Sequence, residues 1–360
     1  MTNVRVAIVV NGRFTSQQQT GMQRFATELI RALDERIAAD HEFEVEMLLP
    51  RNGRPIPYLK AISQRQVGGA TGHLWEQLDL PRHAFGKPIV NLCASAPIMG
   101  GKELLVIHDA AIIDNPQNYS TLYRHAYRLL WRLLKRPSIT IATVSDFSAT
   151  RLAHYGIADN APVIPNGCDH MERIASDESV FARFPQIRKH RYLFALGNRS
   201  ANKNFGIILQ ALNELNEPDL QLVQSGGTNR AVFGSTAETK APKCIDVGMV
   251  SDGQLKALYS NAFAFLFPSL YEGFGIPPLE AMSVGCPPIV ASTSAIPEVC
   301  QDGALYFDPS SASELANAIR SLGKNTGMRE LLTENGNKRV TAYRWATAAD
   351  CLLQQLRRLV

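Results

Sequence analysis

Short apolar runs alternate with stretches of helical spacing along the whole 360-residue chain. Residues 5–10 (RVAIVV) are the first run, stopped by Asn11 and Gly12. After a polar loop, Met22, Phe25, Ala26, Leu29, Ile30 and Leu33 recur at three- and four-residue intervals, which predicts a helix over 22–37. Further strand-like runs lie at 43–49, 89–92, 103–107, 139–144 and 163–164. The pattern then restarts. Strands are predicted at 191–196, 220–224, 244–247, 263–267, 288–291 and 304–307, with helices at 205–215, 254–261 and 278–284 between them. Ser251 with Gln254, and Ser311 with Glu314, have the spacing of helix N-caps. Strands alternating with helices imply an α/β fold with doubly wound parallel sheets. Two Rossmann-like halves of similar size result, joined near the polar stretch 173–190.

Composition narrows the picture. At 45% hydrophobic and 19% charged, the chain has the material for packed cores. A net charge of +4, spread over both halves, gives nucleic-acid binding no support. The six cysteines are scattered, with no C-x-x-C pair, and read as buried reduced thiols. The first apolar run is too short for a signal peptide, and no run approaches the length of a membrane span, so a cytoplasmic protein is expected.

The chemistry concentrates in residues 267–290, FPSLYEGFGIPPLEAMSVGCPPIV. A strand ends at Phe267 and a loop presents Glu272, Gly273, Phe274 and Gly275 before Pro277 and Pro278 start a helix carrying Glu280. Glycines beside a helix N-terminus let backbone amides approach a phosphate. Ionised carboxylates, acceptors only, suit the hydroxyls of a sugar. The bland alternative is a tight strand-to-helix turn with Glu280 as a partner of the helix dipole.

Glu272 and Glu280, with seven residues between them in this segment, resemble the paired glutamates of glycosyltransferase family 4, the retaining nucleotide-sugar transferases of GT-B fold. VIPNGCD at 163–169, LGNRSANKN at 196–204 and IPEVCQDGAL at 296–305 look like other segments of that family in the same order. The resemblance implies two Rossmann-like doubly wound domains facing across a cleft. Residues 1–180 would be the acceptor domain and 181–344 the nucleotide-sugar donor domain, with the helix 345–360 packing back on the first. The apolar stripe Trp345, Ala349, Leu352, Leu353, Leu356 and Leu359 suits such docking.

By the same resemblance, Glu280 grips the nucleotide ribose and Glu272 sits against the donor sugar. The amides of Gly273, Phe274, Gly275 and Ile276 hold sugar and diphosphate, and Lys203 neutralises the diphosphate. Arg199 stands one place later than the family's partner arginine, with Asn198 in the usual position after Gly197. His108 ends a strand of the first half where the family has a histidine that reaches the donor sugar, and Gly21 matches its glycine loop. The implied reaction is same-face transfer of a hexose, mannose first, from a nucleoside-diphosphate sugar to a glycan or polyprenyl-linked glycan in surface polysaccharide assembly. It uses no cofactor, and the chain lacks the Asp-x-Asp motif of metal-dependent transferases. An epimerase or phosphorylase of the same fold, and a non-catalytic nucleotide-sugar-binding protein, are the alternatives. Residues 123–136 (YRHAYRLLWRLLKR) predict a basic amphipathic helix with Tyr123, Ala126, Tyr127, Leu130 and Leu134 on one face. It either packs on the first sheet or touches the inner face of a membrane.

Overall fold

The computed structural model describes residues 6–40, 42–197, 200–215, 217, 219–227 and 244–360. The chain forms two units, one of Met1–Gly167 with Arg344–Val360 and the other of Cys168–Tyr343. The first contains β1 (Val6–Asn11), β2 (Phe43–Leu49), β3 (Ser63–Gln66), β4 (Ile89–Asn91), β5 (Glu103–Val106) and β6 (Ile139–Ala142), in the sheet order β3-β2-β1-β4-β5-β6. The second contains β7 (Tyr192–Leu196), β8 (Gln221–Ser225), β9 (Cys244–Gly248), β10 (Ala264–Phe267), β11 (Pro288–Ala291) and β12 (Leu305–Phe307), in the order β12-β11-β10-β7-β8-β9. All neighbouring strands run parallel. The central strands are buried on both faces, which is why they read as unbroken apolar runs.

Within the first unit, the terminal helix Trp345–Leu359 lies along the helix Gly21–Asp40. Trp345, Ala348, Ala349, Leu352 and Leu356 are buried there, as are Phe25, Leu29, Ile30 and Leu33 on the other helix. The Trp345 ring packs edge-on to Phe25 at 6.1 Å. Fully burying one such large apolar side chain contributes about 1.5–3 kcal/mol, which makes this seam a principal attachment of the chain's last turns. Gly167 has no side chain for a local reason. A Cβ there would stand 2.4 Å from the backbone nitrogen of Trp345.

Several features differ from the sequence reading. The division falls at Gly167, ahead of the polar stretch 173–190. That stretch folds onto the second unit: the Lys256 ammonium donates to the carbonyls of Met171 and Ile174, each at 2.8 Å, and Asp177 donates its N–H to Gly253. Residues 163–164 make only an isolated bridge, Val163 to Thr143. The edge strand β3 (SQRQ) has no apolar residue to announce it. The helix Thr326–Val340 has only Leu332 and Gly336 buried, too few for a visible stripe. The helix Thr121–Leu134 buries Trp131 and Leu134 but leaves Tyr123 41% exposed. Its opposite side carries a second stripe, Leu122, Leu129 and Leu133, which are 81%, 57% and 45% exposed. Among the described residues, no helix is long and apolar enough to cross a membrane.

Candidate active site

In the second unit, three loops leave the carboxyl ends of adjacent strands β7, β10 and β11 and are tied to one another. Gly197, directly after β7, donates its N–H to the carbonyl of Ser225 at the end of β8 (2.9 Å). Residues 198 and 199, which include the sequence candidates Asn198 and Arg199, lie outside the described residues. The chain resumes in the short turn Ala201–Lys203, and Asn204, in a left-handed conformation, starts the helix Phe205–Leu215. Asn202 donates its side-chain N–H to the carbonyl of Tyr271 (3.0 Å) and accepts the N–H of Leu270 at its own carbonyl (2.8 Å). From the third loop, the Ser294 hydroxyl accepts the N–H of Glu272 (3.0 Å).

This stitching sets Lys203 against Glu272. The ammonium donates to Oε1 over 2.5 Å and lies 5.5 Å from the centre of the Phe267 ring. The two side chains are 29% and 18% exposed, so the pair is open to an incoming charged ligand. Strands of such sheets deliver ligand-binding loops at these ends.

Beyond Glu272 the backbone is held for close approach. Gly273 is buried, and Phe274 and Ile276 are buried with it, 6% and 8% exposed. Phe274 packs edge-on to Tyr343 at 5.3 Å. Gly275 caps the helix Ile276–Ser283 with φ 114°, a region L side chains rarely adopt. A Cβ there would also stand 2.6 Å from Cδ1 of Ile296.

Glu280 sits in the second turn of that helix and is 3% exposed. Its Oε1 accepts from His170 Nε2 at 2.9 Å, and its Oε2 accepts from the Tyr259 hydroxyl at 3.3 Å. The sequence reading missed both partners. His170 directly follows the Pro-Asn-Gly segment, but a lone histidine carries no mark of what it will face.

In the first unit, His108 follows β5. Its Nε2–H donates to the carbonyl of Leu92 (2.9 Å), and its ring meets Phe25 edge-on at 4.8 Å. Burial pushes its pKa down to about 4, with the Leu92 bond opposing, so the ring is neutral at pH 7 and Nδ1 is the acceptor nitrogen. Asp109 accepts the N–H of Ala111 (2.8 Å), and Ser145 caps the helix Asp146–His154 through the N–H of Ser148 (3.0 Å). Gly21 begins the helix Gly21–Asp40 in the open: no atom of the protein lies within 4 Å of where its Cβ would be.

A buried polar network lies beneath the ends of β1 and β4, and nothing in the sequence pattern marked it. Asn11 donates to Glu76 (2.8 Å) and Asn91 (2.9 Å), and Arg13 donates to Glu76 (3.0 Å) and Ser95 (2.7 Å). Glu76 is 1% exposed; burial raises its pKa, but the bonds from His73, Asn11 and Ser95 and the Arg13 charge hold it below the usual carboxylate value. Glu103, fully buried between Asn91 (2.9 Å) and Arg136 (3.1 Å), is pushed by burial to about 7. Burial likewise drives the thiols of Cys286 and Cys300 up to about 12.

The chain is similar to known glycosyltransferases. Residues 177–339 match the family model described as "Glycosyl transferases group 1". The chain is 29% identical over 257 residues to O-antigen chain mannosyltransferase B of Escherichia coli, covering 68% of this chain and 67% of that protein. It is 45% identical over 226 residues to O-antigen chain mannosyltransferase RfbU of Salmonella typhimurium, covering 61% and 60%. The crystal structure of Anabaena HepE, in complex with UDP and glucose, superposes with a TM-score of 0.74 at 17% identity over 98% of this chain and 99% of that one, a likeness of fold. Two Rossmann-like parallel sheets give the chain the fold of that structure, and the matches support a family-4-like glycosyltransferase of GT-B fold.

Proposed function

We propose that the chain transfers mannose from GDP-mannose, with retention and without a metal, to a glycan or polyprenyl-linked glycan during surface polysaccharide assembly. The observation that carries the reading is the Lys203–Glu272 pair at the meeting of three strand-end loops. A lysine there is a mobile counter-charge for the leaving diphosphate, and Glu272 an acceptor for hydroxyls of the donor sugar. The main-chain amides of Gly273, Phe274, Gly275 and Ile276, with Gly197, supply neutral donors to the phosphates, and Glu280 takes the ribose. His108 offers Nδ1 to a hydroxyl of the sugar, and Gly21 leaves its backbone open to diphosphate or acceptor. The names of the two mannosyltransferase relatives support mannose and an O-antigen-like acceptor.

The mechanism follows from the groups available. Glu272 is engaged by Lys203 rather than poised as a lone nucleophile. Departure of the diphosphate, stabilised by Lys203 and the amides, generates an oxocarbenium-like sugar. The acceptor hydroxyl attacks on the face the diphosphate left, and its proton passes to that leaving group.

A thermal-shift screen with GDP-, UDP-, ADP- and dTDP-sugars tests the donor, since binding to the native state raises Tm by mass action. GDP-mannose should give the largest shift and support transfer to an acceptor in EDTA. Activity lost in EDTA and restored by Mg²⁺ refutes the metal-independent reading. Conversion of donor without acceptor, or only with added phosphate, turns the assignment to an epimerase or a phosphorylase.

Peripheral contact with the inner face of a membrane is part of the same proposal. The exposed Leu122, Leu129 and Leu133 stripe runs beside Arg128 and Arg132, a pairing of apolar and basic groups suited to anionic lipid. Sedimentation with vesicles containing phosphatidylglycerol should fall sharply for the triple change of these leucines to serine. Equal binding by both proteins refutes the contact.

A further inference from the structure

His170 and Tyr259 each donate to one carboxylate oxygen of Glu280. Both donors are rigidly mounted. Tyr259 is fully buried and packs edge-on to Phe194 (5.1 Å) and Phe265 (5.0 Å). His170, 2% exposed, opens the turn His170–Arg173, whose backbone is pinned through Met171 and Ile174 by the Lys256 ammonium, and the preceding Cys168 N–H is fixed to the Tyr343 carbonyl at 3.0 Å. A glutamate with free χ angles would lose about 1–2 kcal/mol of rotamer entropy each time it ordered around a ligand. Here that ordering is complete before a ligand arrives. A carboxylate has about four acceptor positions, so bonds from His170 and Tyr259 are compatible with further bonds from ligand hydroxyls.

We propose that His170 is a positioning residue for donor recognition: its bond to Oε1 fixes the Glu280 carboxylate in the orientation that accepts the ribose hydroxyls. The inference rests on the ribose role proposed above for Glu280. It assigns the residue after the Pro-Asn-Gly-Cys-Asp segment to the nucleotide site, acting through its bond to the glutamate.

The experiment measures binding of GDP and of 2′-deoxy-GDP by calorimetry to the parent, His170→Gln and His170→Asn. The glutamine amide reaches the position of Nε2; the asparagine amide, one methylene shorter, falls short while keeping a polar side chain. The parent should prefer GDP about tenfold, the range of one lost hydrogen bond to a charged group. His170→Gln should keep most of that preference, and His170→Asn should let it fall below about threefold. A residue that only braces the fold would lower both affinities together and leave their ratio unchanged, so an unchanged ratio in His170→Asn overturns the inference alone. A parent that binds both nucleotides equally overturns the ribose role of Glu280 and the inference with it. If His170→Asn does not fold, His170→Leu against His170→Gln makes the same comparison.

Discussion

The pairing of Lys203 with Glu272 makes an unusual forecast: removing a carboxylate from the site should tighten binding of the bare nucleotide. The ammonium is committed to Glu272 at 2.5 Å. A diphosphate must draw it away before the phosphate charge is met. Two unit charges at about 4 Å attract by roughly 4 kcal/mol at an effective dielectric near 20. With side chains 29% and 18% exposed, solvent and side-chain entropy reduce the net worth of such a pair to about 1 kcal/mol. Glu272→Gln should therefore bind GDP about fivefold more tightly than the parent. Lys203→Met, which keeps the aliphatic stem and loses the charge, should weaken GDP by about 10- to 100-fold. The decisive measurement is the cycle, run by calorimetry at one ionic strength because a half-exposed pair is screened by salt. In the Lys203→Met background, Glu272→Gln should change GDP affinity by less than about twofold, because there is no lysine left to release. An equal gain in both backgrounds would mean a general field effect and would refute partner exchange. Weaker GDP binding in Glu272→Gln would mean that Glu272 itself holds the nucleotide, and the roles of the two glutamates would have to be reversed. Transfer from GDP-mannose should fall in kcat for Glu272→Gln whatever happens to GDP, since the proposed partner of this carboxylate is the reacting sugar.

Other outcomes follow from the same geometry. Glu103 binds its proton more tightly folded, with a pKa near 7, than unfolded, so it favours folding below pH 4.5 and that support is lost as pH rises through 7. Glu103→Gln should accordingly gain on the parent by about 1.4 kcal/mol per pH unit between pH 4.5 and 7, read from denaturant unfolding at each pH; a pH-independent difference would contradict the raised pKa. His108 has the opposite sign: its folded pKa near 4 lies below the unfolded value, so the stability it contributes is whole above pH 6.5 and is lost as pH falls toward 4. His108→Asn should therefore flatten the acid side of the same profile. Gly275→Ala must adopt φ 114° with Ile296 Cδ1 2.6 Å from the new methyl, and should lower stability by about 1–3 kcal/mol and donor binding with it; an unchanged Tm would show that the loop relaxes freely.

How much of this was legible in the sequence depended on whether burial leaves a trace in residue type. The doubly wound sheets were readable because β5, β10 and β11 are buried on both faces and, apart from Glu103 at the start of β5, are apolar. The glutamate loop was readable because Gly275 and the prolines after it mark a strand-to-helix turn of restricted geometry. The stretch 173–190 misled because its polar residues resemble a linker, while its fixation comes from Lys256, far along the chain, bonding the carbonyls of Ile174 within it and Met171 just before it. The same limit hid His170. A histidine and a glutamate 110 residues apart carry no common pattern, and only the fold lays one on the other. Arg13 and Glu76 were silent for a related reason: sequence reports their charge, whereas their role follows from being 6% and 1% exposed and mutually neutralised. Buried polar groups must find partners, so each such group is a statement about the tertiary structure that local pattern cannot make. The orientation of Glu280 is the clearest case, since its chemistry was visible from its spacing to Glu272 while its aim is set by a residue that spacing does not reveal.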